Sequence, residues 1–431
     1  MHTPTAAKLR PWRLLLEEED EAEAVLASIH EIEGALASHL KGRELRSTSD
    51  VYLSEGAAGV ALFFAYLHAA GLAQRRELAF ECLAPAVDAL AAQPMTASLY
   101  AGFTGIAWAV QHVTTWLGDS SGDISNDIDC ALETYLSRTP WSHDYDLIHG
   151  LVGVGVYCLE RTDSPVAMQC LELIVERLSE LAEPSGEGLC WLTHPDLLRQ
   201  GQREKYPQGY YNLGLAHGQA GIIALLGKVH AAGMSQEKTA QLLEGAVQWL
   251  LRQRLPHCAQ SSFSALHIPG RQSESCRLAW CYGDAGLAAA LLLAARCVGE
   301  ESWEREAVAI ARNAAARDAQ TCGVVDACFC HGSSGLAHIF NRLYQASNDE
   351  ALSEASRYWI ERTLQFSKPG EGPAGYRFMA NDNRGNSGFQ SRYGVLEGIA
   401  GIGLSLLAAT STIEPCWDRM LLVDIPPLSP S

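Results

Sequence analysis

Residues 282–295 read Tyr-Gly-Asp-Ala-Gly-Leu-Ala-Ala-Ala-Leu-Leu-Leu-Ala-Ala (YGDAGLAAALLLAA). A Gly-x-x-Gly opens a run that is apolar on every face, the mark of a helix buried nearly all round. Glycines at the start of such a helix remove side chains and let that end approach a neighbouring backbone closely. One Gly-x-x-Gly means nothing by itself. The pattern recurs, however, as EGAAGVALFFAYL from Glu55, AGFTGIAWAVQHV from Ala101 and HGLVGVGVYCLE from His149. It returns as HGQAGIIALLGKV from His217, HGSSGLAHIFNRL from His331 and EGIAGIGLSLLAA from Glu397. The seven first glycines stand at 56, 102, 150, 218, 283, 332 and 398, at intervals of 46 to 68 residues. Self-similarity at such a period is the signature of a repeat architecture.

Between the apolar runs lie amphipathic, charge-bearing segments such as EEEDEAEAVLASIHEIEGALASHL (17–40) and SWEREAVAIARNAAARDAQ (302–320). A buried helix followed by a solvent-facing one, seven times over, predicts two concentric layers. The fold class is therefore all-α, an α/α toroid built as a seven-fold double-ring α/α barrel. Helical pairs also stack into open solenoids. Seven near-identical inner starts, with the chain ending soon after the seventh, favour closure, so residues 1–431 are expected to form a single toroid domain.

Composition narrows the function. The chain carries 32 basic and 50 acidic side chains, a formal charge of −18, and is 48% hydrophobic. A surface that acidic repels phosphate backbones and anionic headgroups, which argues against nucleic acid or membrane as partners. No apolar stretch reaches spanning length. The opening MHTPTAAKLRPWRLLLEEEDEAEA lacks a signal-peptide pattern, and a cytoplasmic location is the expectation. Thirteen cysteines, odd in number and irregular in spacing, read mostly as small buried residues in a reducing compartment.

Closure has a chemical consequence. All seven inner starts point to one end of the ring, so the residues just before them converge on the axis: Ser54-Glu55, Tyr100-Ala101, Ile148-His149, Ala216-His217, Cys281-Tyr282, Cys330-His331 and Leu396-Glu397. Seven helix N-termini also surround that place with partial positive charge. Cys281, Cys330 and His331 thus become neighbours. Each alone reads as a buried cysteine or a satisfied histidine. Together, at matching places in adjacent repeats, they make a ligand set for one Zn2+ with the fourth position open, as in catalytic sites. Cys328, in CFCH, is a rival ligand, but only Cys330 repeats the register of Cys281.

His217 holds the register of His331 one chain interval before Cys281, with Ala216 preceding it. It is suited either to proton transfer or to capping a helix. Asp146 could orient a histidine, act as a base or cap a loop. Arg277, four residues before Cys281, could hold a developing oxyanion or simply face solvent. His149 shares the register without a defined role.

HDYDLIHG, GLAHGQAG, RLAWCYGDAG, CHGSSG and LEGIAG resemble the signatures of LanC-like lanthipeptide cyclases. The resemblance runs from about Glu55 to Leu407, and the WCYG…CHG pairing is its most specific part. It implies a seven-fold α/α barrel and a zinc enzyme. The implied reaction adds a peptide cysteine thiol to a dehydroalanine or dehydrobutyrine of the same dehydrated precursor peptide, giving a lanthionine or methyllanthionine ring. By motif, Cys281, Cys330 and His331 match the family's zinc ligands, one ion per chain, and His217, Asp146 and Arg277 match its remaining active-site positions. A lanthipeptide dehydratase is an implied partner.

Three longer connections, 190–211, 261–277 and 370–393, immediately precede inner starts and are expected to overhang the mouth and shape a peptide cleft. Two other readings keep the metal: addition of glutathione to dehydroamino acids, and a zinc-stabilised scaffold that only binds a peptide or a dehydratase. A terpene-type toroid lacks its paired aspartate-rich motifs, and a glycosidase would rest on Glu55 and Glu397 alone. The acidic helix over 17–40 is expected in the outer layer, with partner binding as the alternative.

Overall fold

In the computed structural model, each of the seven first glycines is the N-cap of a helix. Those helices are Ala57–Ala69, Phe103–Trp116, Leu151–Glu160, Gln219–Ala231, Asp284–Val298, Ser333–Ser347 and Ile399–Thr410. The structure describes residues 11–41, 47–119, 125–256, 259–381 and 387–427. Each of these helices packs against the next, and the seventh packs against the first, so the inner ring closes. The open solenoid is thereby excluded.

The second glycine of every repeat explains the motif. A Cβ at Gly59, Gly105, Gly153, Gly221, Gly286, Gly335 or Gly401 would lie 1.6–2.4 Å from the carbonyl oxygen of the residue six positions earlier. The chain doubles back so tightly before each inner helix that only hydrogen fits there. The doubled-back segments are then joined edge to edge. Ser54 N donates to Tyr100 O at 3.1 Å, Leu147 N to Ala216 O at 3.2 Å, and Ala216 N to Cys281 O at 3.3 Å. Cys281 N donates to Cys330 O at 3.3 Å, Cys330 N to Leu396 O at 2.8 Å, and Leu396 N to Ser54 O at 3.3 Å. The gap between the second and third repeats is bridged by Ser98 Oγ on Ile148 O at 2.6 Å. A ring of hydrogen bonds therefore runs round the mouth and satisfies backbone groups that a buried loop would otherwise leave unpaired.

Just beneath this ring lies an apolar layer of Leu53, Leu99, Leu147, Leu215, Trp280, Phe329 and Val395, each at most 1% exposed. All seven sit three residues before a first glycine. Below them the segment from Cys416 to Pro427 runs into the interior, where Trp417, Met420, Leu421, Leu422, Val423 and Ile425 are buried.

The outer layer comprises Arg76–Ala92, Asn126–Leu136, Pro165–Leu181, Gln236–Arg252, Glu301–Ala315 and Glu350–Phe366, together with Glu19–Leu40. That last helix comes first in the chain yet backs the seventh inner helix, burying Val25, Ile29, Ile32 and Leu36 as a stripe four residues apart or three. No helix among the described residues is long and apolar enough to cross a membrane. The opening segment read for targeting lies partly outside the described residues, in 1–10.

The layers are helical as expected, but the long connections contain strands. Ala182–Ser185, Gly188–Thr193, Tyr210–Asn212 and Leu266–His267 form a four-stranded antiparallel sheet, joining the first connection to the second. Phe378–Asn381 pairs with Ser387–Gln390 in a hairpin of the third; its tip, 382–386, is outside the described residues. Strand pairing supplies the backbone partners of these segments, and Gly188–Thr193 also packs against the outer helix Gln236–Arg252.

Candidate metal centre and its neighbours

The sulfur atoms of Cys281 and Cys330 and a ring nitrogen of His331 lie within 4.8 Å of one another. Two consecutive residues of the sixth repeat meet one of the fifth because Cys281 and Cys330 are bonded directly in the backbone ring. A tetrahedral zinc with Zn–S of ~2.3 Å and Zn–N of ~2.0–2.1 Å needs ligand atoms ~3.5–3.8 Å apart. The donor set fits that ion in chemistry and in spacing, and three donors leave one position for a ligand from outside.

Charge in the cluster is already poised. A hydrogen bond from Cys330, and behind it His331 and Arg277, overcome burial and hold the Cys281 thiol well below the ordinary range. Cys330 moves the opposite way, pushed up by its bond to Cys281 and by burial. The hydrogen bond between the two sulfurs therefore favours the thiolate form at Cys281 and disfavours it at Cys330. Burial pulls His331 down, but its hydrogen bond and charge contact with Cys281 outweigh that and raise it.

The rival donor Cys328 belongs to a second group, Asp326, Cys328 and His331, whose atoms also lie within 4.8 Å. Its surroundings differ. The Asp326 carboxylate accepts from Cys328 N at 2.9 Å and from Met379 N at 2.8 Å, so both oxygens serve the backbone. Burial and the neighbouring Asp326 push the Cys328 thiol well up. The Asp326 carboxylate is thus already engaged by two backbone N–H groups, whereas Cys281 and Cys330 are joined directly through the backbone ring.

His217 stands on the adjacent repeat. Its Nδ1 is 2.7 Å from Asp146 Oδ2, while Asp146 Oδ1 accepts from His149 N at 2.6 Å. Burial lowers the imidazole, but Asp146, followed by Cys281 and Asp144, raises it above the ordinary histidine value. The bond from Ala216 N to Cys281 O places the dyad beside the sulfur cluster. The His149 ring lies 6.4 Å from that of His217, and Tyr282 stacks on His217 at 5.7 Å. Arg277 is exposed, has no hydrogen-bond partner among the described residues, and acts on Cys281 and His331 through its charge.

All six sequence-chosen residues therefore meet at one mouth. Sequence reasoning gave no role to Tyr282 or Asn212. Tyr282 holds the register of His217 and His331, and that signal could have flagged it; its hydroxyl is 3.3 Å from Asn212 Nδ2. Tyr210, Arg199 and Gln202 come from the first long connection and line a cavity of about 260 Å³ with Asp144, Asp146, His149 and His217. No register marks them. On the first and seventh repeats, Glu55 and Glu397, weighed as a glycosidase pair, both bind the Arg392 guanidinium, at 2.9 and 2.8 Å.

A family model of lanthionine synthetase C-like proteins matches residues 47–422. The chain belongs to the lanthionine synthetase C-like family. It is 26% identical over 349 residues to the nisin biosynthesis protein NisC of Lactococcus lactis subsp. lactis, covering 76% of this chain and 78% of that one. The solved structure of nisin cyclase superposes with a TM-score of 0.71 at 22% identity, covering 91% of this chain and 97% of that one. The family match spans all seven glycine motifs, from the first at Gly56 to the last at Gly398.

Proposed function

We propose that this chain is a zinc-dependent lanthipeptide cyclase working as one toroid domain, with a dehydrated precursor peptide as substrate. The observation that carries the reading is the convergence of Cys281, Cys330 and His331 within 4.8 Å, next to a His217–Asp146 pair. Family membership supports the reaction class, and the curated relative is named for nisin biosynthesis.

Cys281, Cys330 and His331 would hold the ion, which supplies Lewis acidity to turn an incoming peptide thiol into its nucleophilic thiolate near neutral pH. The rest falls to the chain. The new bond joins the substrate sulfur to the β-carbon of the dehydro residue, the double-bond pair moves toward the carbonyl, and the α-carbon takes a proton. Arg277 and the ring of helix N-termini stabilise the oxygen on which that charge develops. With Nδ1–H donated to Asp146, His217 exchanges protons through Nε2, and its raised value keeps imidazolium available to protonate the α-carbon. The proton lost by the substrate thiol is taken up at His217 Nε2 and replaces the one given to the α-carbon, so the enzyme returns to its starting state.

The cavity beside His217 holds Asp144 and Asp146 against Arg199, an arrangement that favours a peptide over an anionic tripeptide such as glutathione. The connections that wall it form the peptide cleft in this reading. All cysteines among the described residues are free, which suits a reducing, cytoplasmic setting. The substrate presupposes a dehydratase acting on serine and threonine.

The test is incubation of the purified protein with a dehydrated, cysteine-containing peptide, followed by thiol alkylation and mass spectrometry. Loss of alkylatable thiol, abolished by chelation and restored by zinc, is expected. Stoichiometric zinc with no thioether formed would leave a binding scaffold, and a glutathione adduct in place of a ring would select that donor.

A further inference from the structure

The segment after the seventh inner helix does more than fill space. Cys281 and Cys330 are each preceded by an aromatic residue, Trp280 and Phe329, in the apolar layer under the mouth; the other five positions of that layer are Leu or Val. Both aromatics rest on the segment. Trp280 Nε1 donates to Leu421 O at 3.1 Å, and Phe329 meets Trp417 edge to face with ring centres 5.6 Å apart. Tyr100, which holds the register of the two cysteines, donates its hydroxyl to Met420 O at 2.7 Å and lies edge-on to Trp280. The floor of the candidate metal centre is thus fastened to residues 417–421.

The segment is in turn locked to the ring by fully buried charge. Asp418 accepts from Arg342 Nε at 2.6 Å and Nη2 at 3.0 Å, and pairs with His338 Nε2 at 2.8 Å. Both Arg342 and Asp418 are 0% exposed. Arg342 also reaches Ile425 O at 3.4 Å and lies over the Trp12 ring. Removing one member of a buried pair is costly, so the segment has essentially one seat.

We infer that residues 417–421, held by the Arg342–Asp418 pair, are positioning residues for the metal centre: through Trp280, Phe329 and Tyr100 they fix the spacing of Cys281 and Cys330. The inference rests on the zinc reading above. Groups that orient metal ligands from behind change metal affinity by about 10- to 100-fold when removed.

The experiment uses the full chain loaded with zinc and measures affinity by chelator competition, alongside the absorption spectrum of the cobalt-substituted protein. Tyr100→Phe keeps the ring and removes only the bond to Met420, whereas Trp280→Phe removes the bond to Leu421 together with part of the buried indole. Asp418→Asn frees the segment but leaves Arg342 uncompensated and endangers folding, so the first two variants carry the test on their own. Asp129→Asn is the matched control: Asp129 is equally buried and bonded to Arg161 and Tyr157, but outside the floor. Zinc affinity is expected to fall about 10-fold or more in Trp280→Phe, Tyr100→Phe and Asp418→Asn, with a shifted cobalt–thiolate band, and to stay unchanged in Asp129→Asn. Wild-type affinity and spectrum in Trp280→Phe and Tyr100→Phe, or an equal loss in Asp129→Asn, overturns the inference. A wild-type chain that binds no zinc, or a Cys281→Ala variant that still binds it, overturns the zinc reading instead.

Discussion

Two sectors of the mouth share one backbone frame and differ in every chemical respect. The fifth and sixth repeats present Cys281, Cys330 and His331, soft donors within 4.8 Å of one another, and the third and fourth present Asp146 and His217, a hard acid–base pair at 2.7 Å. In both sectors the functional side chain occupies one of the two positions before a first glycine, or lies a turn earlier. The scaffold therefore fixes places, and in the proposed function the residue type at each place decides between holding a cation and moving a proton. The comparison also separates the two failures that substitutions should produce.

The largest effect is expected from the soft sector. Cys281→Ala or Cys330→Ala removes one of three donors, and zinc content and ring formation should fall together to background; retained zinc in either would unseat that ligand. His217→Asn belongs to the other sector and should keep full zinc while turnover falls by about 10²–10⁴, the span of a lost general acid or base. Parallel loss of metal in this variant would erase the distinction between sectors.

Asp146→Asn sharpens the comparison through pH. The carboxylate raises His217 in the folded protein, so the imidazolium form persists to higher pH than in a free histidine. Its removal should shift the alkaline limb of the rate profile downward. The same linkage sets stability: with the folded value above the unfolded one of ~6.5, the pair contributes fully below that pH and loses its contribution as pH rises through the folded value. Melting curves from pH 5 to 9 (about one unit apart) should show that slope in the wild type and a flatter one in the variant.

The frame itself can be tested with alanine. Gly335→Ala puts a Cβ 1.8 Å from Phe329 O and should cost at least ~1–3 kcal/mol by chemical denaturation. Gly34 lies within an outer helix with nothing within 4 Å of such a Cβ, and Gly34→Ala should stabilise by ~0.5–1 kcal/mol. Equal effects at the two would mean that the close backbone approach is not what the motif protects.

The ring was legible because the same steric demand is written seven times, and register then ranked Cys330 above Cys328 although the two are separated by a single residue. The pairing of Asp146 with His217 was legible only as one of several options, since 71 positions separate them and neither residue type specifies its partner. Other features left no trace in the pattern. The segment Cys416–Pro427 repeats nothing, and its burial depends on a cavity that exists only after closure. The strands of the long connections follow no register of the repeat, and Tyr210 and Arg199 reach His217's cavity from the strand Tyr210–Asn212 and from the connection that precedes it. Helix Glu19–Leu40 announces an amphipathic stripe but not that it backs the last inner helix of the chain.

X-ray absorption at the zinc edge of the purified, metal-loaded protein tests the central claim most directly. Two sulfur and one nitrogen scatterers from the protein plus one light exchangeable ligand, with one sulfur lost in Cys330→Ala and none in Cys328→Ala, is the predicted result. A shell already filled by four protein donors, or a sulfur count that responds to Cys328 and ignores Cys330, would contradict it.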